Sequence, residues 1–384
     1  MKKSGWRARD KIFARARVGA AAVHAANLED QSGDGAVTII ELLKEAAKRQ
    51  ASDLHITVGS APIFRITGVL CPDDSQRLSA ADTQEMAQDL LTSEQWATLV
   101  QRGEIDLSYS LPGVSRFRVN VFRQRGCYSL AVRIVPTSIP EFSSLGLPQF
   151  VRSFADKQQG LLLVTGPTGS GKSTTLAALI GYINQTQKRH IITLEDPIEY
   201  LHKHGESVID QREIGIDTQS FANGLRAALR QDPDVLLVGE MRDLETIATA
   251  ISAAETGHLV FATLHTPDAP QSIDRMIDVF PTGQQQQVRI QLASVLLGIV
   301  SQRLLPTVDG RTRVAAAEVL VNTPAVANLI RSEKVHQIRT AMQTGKVHGM
   351  QTMEMGLRDL AAANRISDAQ YRQFAAEWGA AVLI

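Results

Sequence analysis

Four short stretches beyond residue 160 are apolar or nearly so: Leu161–Val164, Ile191–Leu194 with Thr193 inside it, Val235–Val238, and the segment from His258 to Thr263 between its two end residues. Runs of that length without alternation belong to strands covered on both faces, as in a parallel sheet between helices. Helical periods separate them, from Leu176 to Tyr182 and from Phe221 to Arg230, so residues 151–384 are predicted to form an α/β domain. The first half is patterned differently. Phe117, Val119 and Val121 alternate with Arg116, Arg118 and Asn120, and Leu130, Val132 and Ile134 alternate with Ser129, Ala131 and Arg133. That is the period of two strands with one face buried, and a turn at Arg125–Gly126 would set Arg118 opposite Arg133 on the face away from the core. Like charges across a ladder call either for solvent around them or for an anion between them. Ahead of this hairpin a helical spacing (Ile39, Ile40, Leu42, Leu43, Ala46, Ala47) leads to two alternating segments, SDLHITVG and PIFRITGVL. A helix pair over Ser79 to Gln101, with Ser79 and Thr92 as N-caps, completes a smaller α+β domain over residues 37–135. Pro136 to Pro148 holds three prolines and little periodicity, so residues 136–150 read as a linker.

Composition changes this picture little. At 384 residues two domains are expected, and the 40 basic and 40 acidic side chains cancel, which gives no reason to expect nucleic acid as a partner. The first 18 residues depart from the balance, with seven Lys or Arg against Asp10, a local charge of +6. Residues 1–36 therefore read as a basic, disordered extension or a misassigned start, with contact to anionic lipid the alternative. Cys71 and Cys127 have no metal-ligand spacing, and a reducing cytoplasmic compartment fits them. No stretch approaches the roughly 18 uninterrupted apolar residues of a membrane span; Leu292–Val300 comes nearest and is flanked by Arg289 and Arg303.

The chemistry centres on Leu161 to Thr175, LLLVTGPTGSGKSTT, where a buried strand runs into a glycine-rich turn and then a helix. Residues Gly166, Pro167, Thr168, Gly169, Ser170, Gly171, Lys172, Ser173 and Thr174 form a complete phosphate-binding loop. Its backbone N–H groups and helix N-terminus face a polyphosphate, Lys172 reaches the β- and γ-phosphates, and the Ser173 hydroxyl is placed for Mg²⁺. ATP and Mg²⁺ are thus the expected ligands. Acids gather at the ends of later strands, where open α/β sheets bind ligands. Glu195, Asp196 and Glu199 follow one strand. Glu240 follows Val235–Val238, with glycine then glutamate in place of the usual strand-end aspartate, and is expected beside the metal or the attacking water. His258 and His265 bracket the last strand, either as structural residues or as sensors of the γ-phosphate. Arg226 and Arg230, four apart on one helix, face the site or solvent.

These blocks resemble the secretion-ATPase superfamily, and within it the type IV pilus retraction ATPases of the PilT type. GPTGSGKST is similar to the family's Walker A, HIITLEDPIEY to its Asp box, DPDVLLVGEMRD to its Walker B and AAETGHLVFATLHT to its His box, and the likeness covers about Val37 to Ser367. The resemblance implies a PAS-like domain followed by a RecA-like ATPase domain with a helical C-terminal part, assembled as a homo-hexamer. It implies catalytic parts for Glu195, Glu240, His258 and His265, with Arg118 and Arg133 contacting the phosphates. It further implies a cytoplasmic motor at the inner face of the inner membrane, acting on a pilus platform protein, with a paralogous retraction ATPase as a further partner. Lack of a tetracysteine cluster favours the retraction branch. AVANLIRS resembles that branch's AIRNLIRE segment but departs from it at Ala327 and Ser332. The alternatives are a related secretion or pilus-extension ATPase and a non-hydrolysing accessory ring subunit.

Overall fold

The computed structural model describes residues 37–136 and 138–377; the expected basic extension lies outside them. By internal contacts the chain divides into two units, one running through Glu104 and taking in Val121–Leu130, the other comprising Ile105–Asn120 and the chain from Ala131 onward.

Helix α1 (Ile39–Lys48) starts at a reciprocal cap between Thr38 and Glu41 and buries Ile39, Leu42, Leu43 and Ala46. Strands β1 (Asp53–Ile56), β2 (Ile63–Ile66) and β3 (Val69–Pro72) follow. The segment PIFRITGVL, expected as one alternating stretch, is a hairpin, because Thr67 and Gly68 take φ of 48° and 86° as a tight two-residue turn requires. Helices α2 (Ala80–Leu90) and α3 (Ser93–Arg102) begin at Ser79 and Thr92, both in capping boxes. Then come β4 (Glu104–Leu111), a strand beyond those expected, β5 (Ser115–Gln124) and β6 (Cys127–Val135). The last two are joined by Arg125 and Gly126 at φ 51° and 82°. The six strands form one sheet in the order β3-β2-β1-β6-β5-β4.

The rest of the chain builds a seven-stranded sheet. Its elements are β7 (Gly160–Thr165), α4 (Lys172–Thr186), β8 (His190–Glu195), β9 (Val208–Glu213), α5 (Phe221–Ala228), β10 (Val235–Val238), α6 (Leu244–Glu255) and β11 (Leu259–Leu264). After α7 (Ala269–Asp278) and α8 (Thr282–Val295) come β12 (Leu296–Pro306), β13 (Arg313–Val321), α9 (Pro324–Arg331), α10 (Ile338–Thr344), α11 (Met353–Ala362) and α12 (Asp368–Glu377). Strand order is β13-β12-β7-β11-β10-β8-β9, parallel throughout except where β13 pairs antiparallel with β12.

The unbroken apolar runs are explained by two covered faces. Leu161 and Leu163 join one core with Ile192, Leu194, Leu236 and Val238, while Leu162 and Val164 join another with Ile191, Val235 and Leu237. Alternate residues of a strand point to opposite faces, so no position on β7 could be polar without facing one core or the other. All four residues Leu161–Val164 are 0% exposed, each worth about 1.5–3 kcal/mol of apolar burial. Phe142 and Leu147, within the stretch read as a linker, pack into the second of these cores. Leu292–Val300 is divided between the end of α8 and the start of β12, and no described helix is long and apolar enough to cross a membrane. In this topology β7, β8, β10 and β11 all end on the same edge of the sheet.

Candidate active site

The loop between β7 and α4 is shaped by its neighbours. Gly166 has φ 137°, and a Cβ there would stand 2.3 Å from the Gln302 carbonyl oxygen, so only glycine lets β7 turn this close to β12. Gly171, at φ 92°, caps α4. Pro167, Thr168 and Gly169 form an exposed crest, with Ser170 buried beneath. Lys172 is 8% exposed, and its Nζ donates to the carbonyls of Gly166 at 2.8 Å and Pro167 at 3.1 Å. Burial lowers the lysine's pKa, against the attraction of Glu240 and Glu199, which raises it. Ser173 follows it in the first turn of α4, and Thr174 shares a 2.9 Å hydrogen bond with the Tyr200 hydroxyl.

A cavity of about 450 Å³ lies over this loop, within the range of small-ligand sites. Lys172, Ser173, Glu195, Glu240, His265 and Arg313 are among the residues that line it. Glu195 ends β8. Its Oε1 accepts from Thr193 Oγ1 at 2.6 Å and from Gln211 Nε2 at 3.0 Å. Burial raises its pKa, outweighing those hydrogen bonds, which favour the charged form. Glu240 follows β10 through Gly239, whose N–H donates to the Leu194 carbonyl at 2.8 Å. A Cβ on Gly239 would sit 3.0 Å from that oxygen, which explains the glycine in front of the glutamate. Partial burial acts to raise the Glu240 pKa, but Arg242, 2.6 Å away, and His265, 3.3 Å away, together hold it below the usual value.

The remaining expected residues are spread wider. His265 reaches the cavity, but His258 stands at the opposite end of β11, some six residues or roughly 20 Å along the strand from the phosphate loop. Its Nδ1 lies 2.9 Å from the Ala253 carbonyl at the end of α6, so its geometry is that of a helix-end partner rather than a phosphate sensor. Arg118 and Arg133 are exposed on β5 and β6 and do not line the cavity; counting back from the Arg125–Gly126 turn, the two-residue loop sets them opposite each other. Arg226 pairs with Glu245 and Asn223 at the surface, and Arg230 is exposed; neither lines the cavity.

Strand β9 carries residues that the sequence reading missed. Gln211 touches Glu195, and two residues on, Glu213 is 4% exposed. Glu213 accepts from the Ile198 N–H at 3.2 Å and pairs with Arg116 at 2.9 Å, and the Ser108 hydroxyl donates to it. In the sequence the available signal was only that Gln211 and Glu213 fall in alternation with Ile209. A third buried acid, Glu318 on β13, accepts from the Ala269 N–H at 2.9 Å, and burial pushes its pKa up to about 7.

A phosphate loop at the centre of a parallel sheet, with acids at the ends of β8 and β10 on the same edge, defines a RecA-like P-loop ATPase domain, here preceded by a smaller α+β domain. The sequence profile of the type II/IV secretion system protein family matches residues 30–377, and the chain belongs to that family. It is 45% identical over 335 residues to the type IV pilus retraction ATPase PilT of Pseudomonas aeruginosa, a match spanning 87% of this chain and 97% of that one. To a twitching motility protein of Neisseria gonorrhoeae it is 46% identical over 325 residues, 85% of this chain and 87% of the relative. The crystal structure of the pilus retraction motor PilT with bound ADP matches at a TM-score of 0.81 with 49% identity, covering 88% of this chain and 96% of that one.

Proposed function

We propose that this chain is an ATP-hydrolysing motor that powers type IV pilus retraction and twitching motility. The observation that carries the reading is the convergence of Lys172, Glu195, Glu240 and His265 on one cavity, in a chain 45% identical to a pilus retraction ATPase over nearly its whole length. In turnover Lys172 exchanges its bonds to the Gly166 and Pro167 carbonyls for the phosphates, and the α4 N-terminus supports the same charge. Glu195, whose pKa is raised by burial, is the general base that takes the proton of the attacking water. Glu240, kept ionised by Arg242 and His265, serves the metal side.

Mg²⁺ fits these residues. Among the described residues no group of three or more His, Cys, Asp or Glu could hold an ion, so the protein offers no complete cage. Mg²⁺ is suited to such a place, taking one or two protein oxygens, here Ser173 and Glu240, with the rest from phosphate and water. When bound it neutralises charge on the phosphates.

The finer reading is a homo-hexamer on the cytoplasmic face of the inner membrane, bearing on a pilus platform protein. Arg118 and Arg133, exposed on one sheet face, supply further phosphate contacts in that assembly, and loss of the γ-phosphate releases them. The AVANLIRS segment forms α9, where Ala327 packs into the core and the Ser332 hydroxyl caps the helix end at Asn328. Both residues that depart from the retraction pattern therefore have a local structural role. The test is phosphate release by the purified protein together with complementation of a deletion strain. Lys172→Ala is expected to abolish turnover and to leave cells with excess pili and no twitching. Normal hydrolysis by this variant overturns the site, and restored twitching overturns the motor.

A further inference from the structure

The loop after β8 carries Glu195, and β9 holds that loop from the edge of the sheet. In the parallel register Thr193 pairs with Gln211 and Glu195 with Glu213. Ile209, Gln211 and Glu213 share the inward face of β9, while Val208 and Asp210 are exposed on the other. The inward face, apolar at its start, is polar where it meets the catalytic edge.

The Gln211 amide is held in one orientation. Its Oε1 accepts from the His202 N–H at 2.8 Å, and its Nε2 donates to the Tyr200 carbonyl at 2.8 Å and to Glu195 Oε1 at 3.0 Å. Turning the amide over would set its oxygen against both a carbonyl and a carboxylate and its NH₂ against a donor, losing all three bonds at once. Two backbone groups of the loop thus fix which end of Gln211 faces Glu195. Thr193 Oγ1 donates to the same carboxylate oxygen at 2.6 Å, so Oε1 is claimed by two donors. Glu213 anchors the intervening backbone at Ile198 and is itself paired with Arg116.

We infer that Gln211 is a positioning residue for hydrolysis: with Thr193 it occupies Oε1 of Glu195, while the Glu199 N–H also donates to this carboxylate, and it so directs the proton of the attacking water to Oε2. The inference rests on Glu195 being the general base. Gln211 is not among the residues that line the cavity; it acts through the carboxylate it holds, so its loss lowers the rate of the chemical step without weakening ATP binding.

The experiment measures kcat, the affinity for a fluorescent ATP analogue and the melting temperature for Gln211→Met, Gln211→Glu, Glu195→Ala and the double variant Glu195→Ala with Gln211→Met. Gln211→Met keeps the length of the side chain and removes all three bonds. Gln211→Glu keeps an acceptor for the His202 N–H but replaces the donor facing Glu195 with a second carboxylate, so it reports even if the methionine variant folds poorly. Each is expected to lower kcat about tenfold or more, with nucleotide affinity within about twofold of the parent. In the Glu195→Ala background, Gln211→Met is expected to lower the residual rate no further, since a residue that acts only through Glu195 has nothing left to position. Unchanged kcat in Gln211→Glu, a parallel loss of affinity in both single variants, or an additive loss in the double variant overturns the inference while leaving Glu195 as base. Normal turnover by Glu195→Ala instead overturns the assignment of the base itself.

Discussion

The loops after β8 and β10 begin on neighbouring parallel strands and each delivers one glutamate to the same cavity, yet they treat it in opposite ways. Glu195 is enclosed, held by an uncharged hydroxyl and an uncharged amide, and burial raises its pKa. Glu240 meets Arg242 and His265, and its pKa falls. Two carboxylates pushed apart in this manner suit different tasks, and the proposed function gives the first the proton and the second the lasting charge. The difference comes from the neighbours each strand end finds. β8 lies beside β9, whose inward face offers Gln211, whereas Glu240 is followed two residues later by an arginine and sits beside the end of β11.

The largest effect should come from abolishing that division at its proton-moving end. Glu195→Gln is expected to lower kcat by about 10²–10⁴ with ATP affinity retained, the range of a lost general base, read by phosphate release and nucleotide titration. Glu240→Gln should also cut the rate while shifting the Mg²⁺ dependence to higher concentration. If the two variants show identical Mg²⁺ titrations, the division of labour fails. Next come the two histidines of β11: His265→Ala is expected to reduce turnover several-fold, about 1 kcal/mol of transition-state stabilisation, whereas His258→Ala leaves turnover intact and lowers the melting temperature slightly. Equal kinetic effects would mean that the far end of the strand matters to catalysis after all.

Glu318 gives a control for burial itself. Like Glu195 it is enclosed with a raised pKa, about 7 against an ordinary 4.5, but it lies outside the cavity lining. The folded state keeps a proton there that the unfolded chain releases, so this group's contribution to stability declines as pH rises from about 4.5 to about 7. Glu318→Gln should remove that slope, stabilising the protein at pH values above the window by at most about 3 kcal/mol, with turnover unchanged. Thermal melts across the range check it. The smallest effect is expected from Arg226→Ala at the exposed pair with Glu245, within about 1 kcal/mol in stability and none in rate.

Much of this was legible in the chain. The apolar runs at Leu161, Ile191, Val235 and Leu259 marked the four strands whose ends lie on the edge of the phosphate loop, because a strand covered on both faces is mostly apolar. Edge strands gave weaker signals. β9, reading VIDQRE, has only one buried apolar residue, and its inward polar residues are matched to a loop that the sequence does not reveal. β12 was hidden because its apolar start continues the end of α8, and Gly298 is where it packs close to Phe154 and the Leu320 carbonyl. His258 and His265 look equivalent when read as brackets around one strand. A parallel strand has a ligand end and a far end, and only the fold assigns each histidine to one of them.

The lysine bonds inside the phosphate loop have one more consequence. Because Lys172 Nζ supports the carbonyls of Gly166 and Pro167, the exposed crest from Pro167 to Gly169 is braced by the same ammonium that the triphosphate recruits. If the proposed function holds, a phosphate that draws this ammonium to itself takes the brace away as well, so substrate binding is expected to loosen the outer surface of the loop.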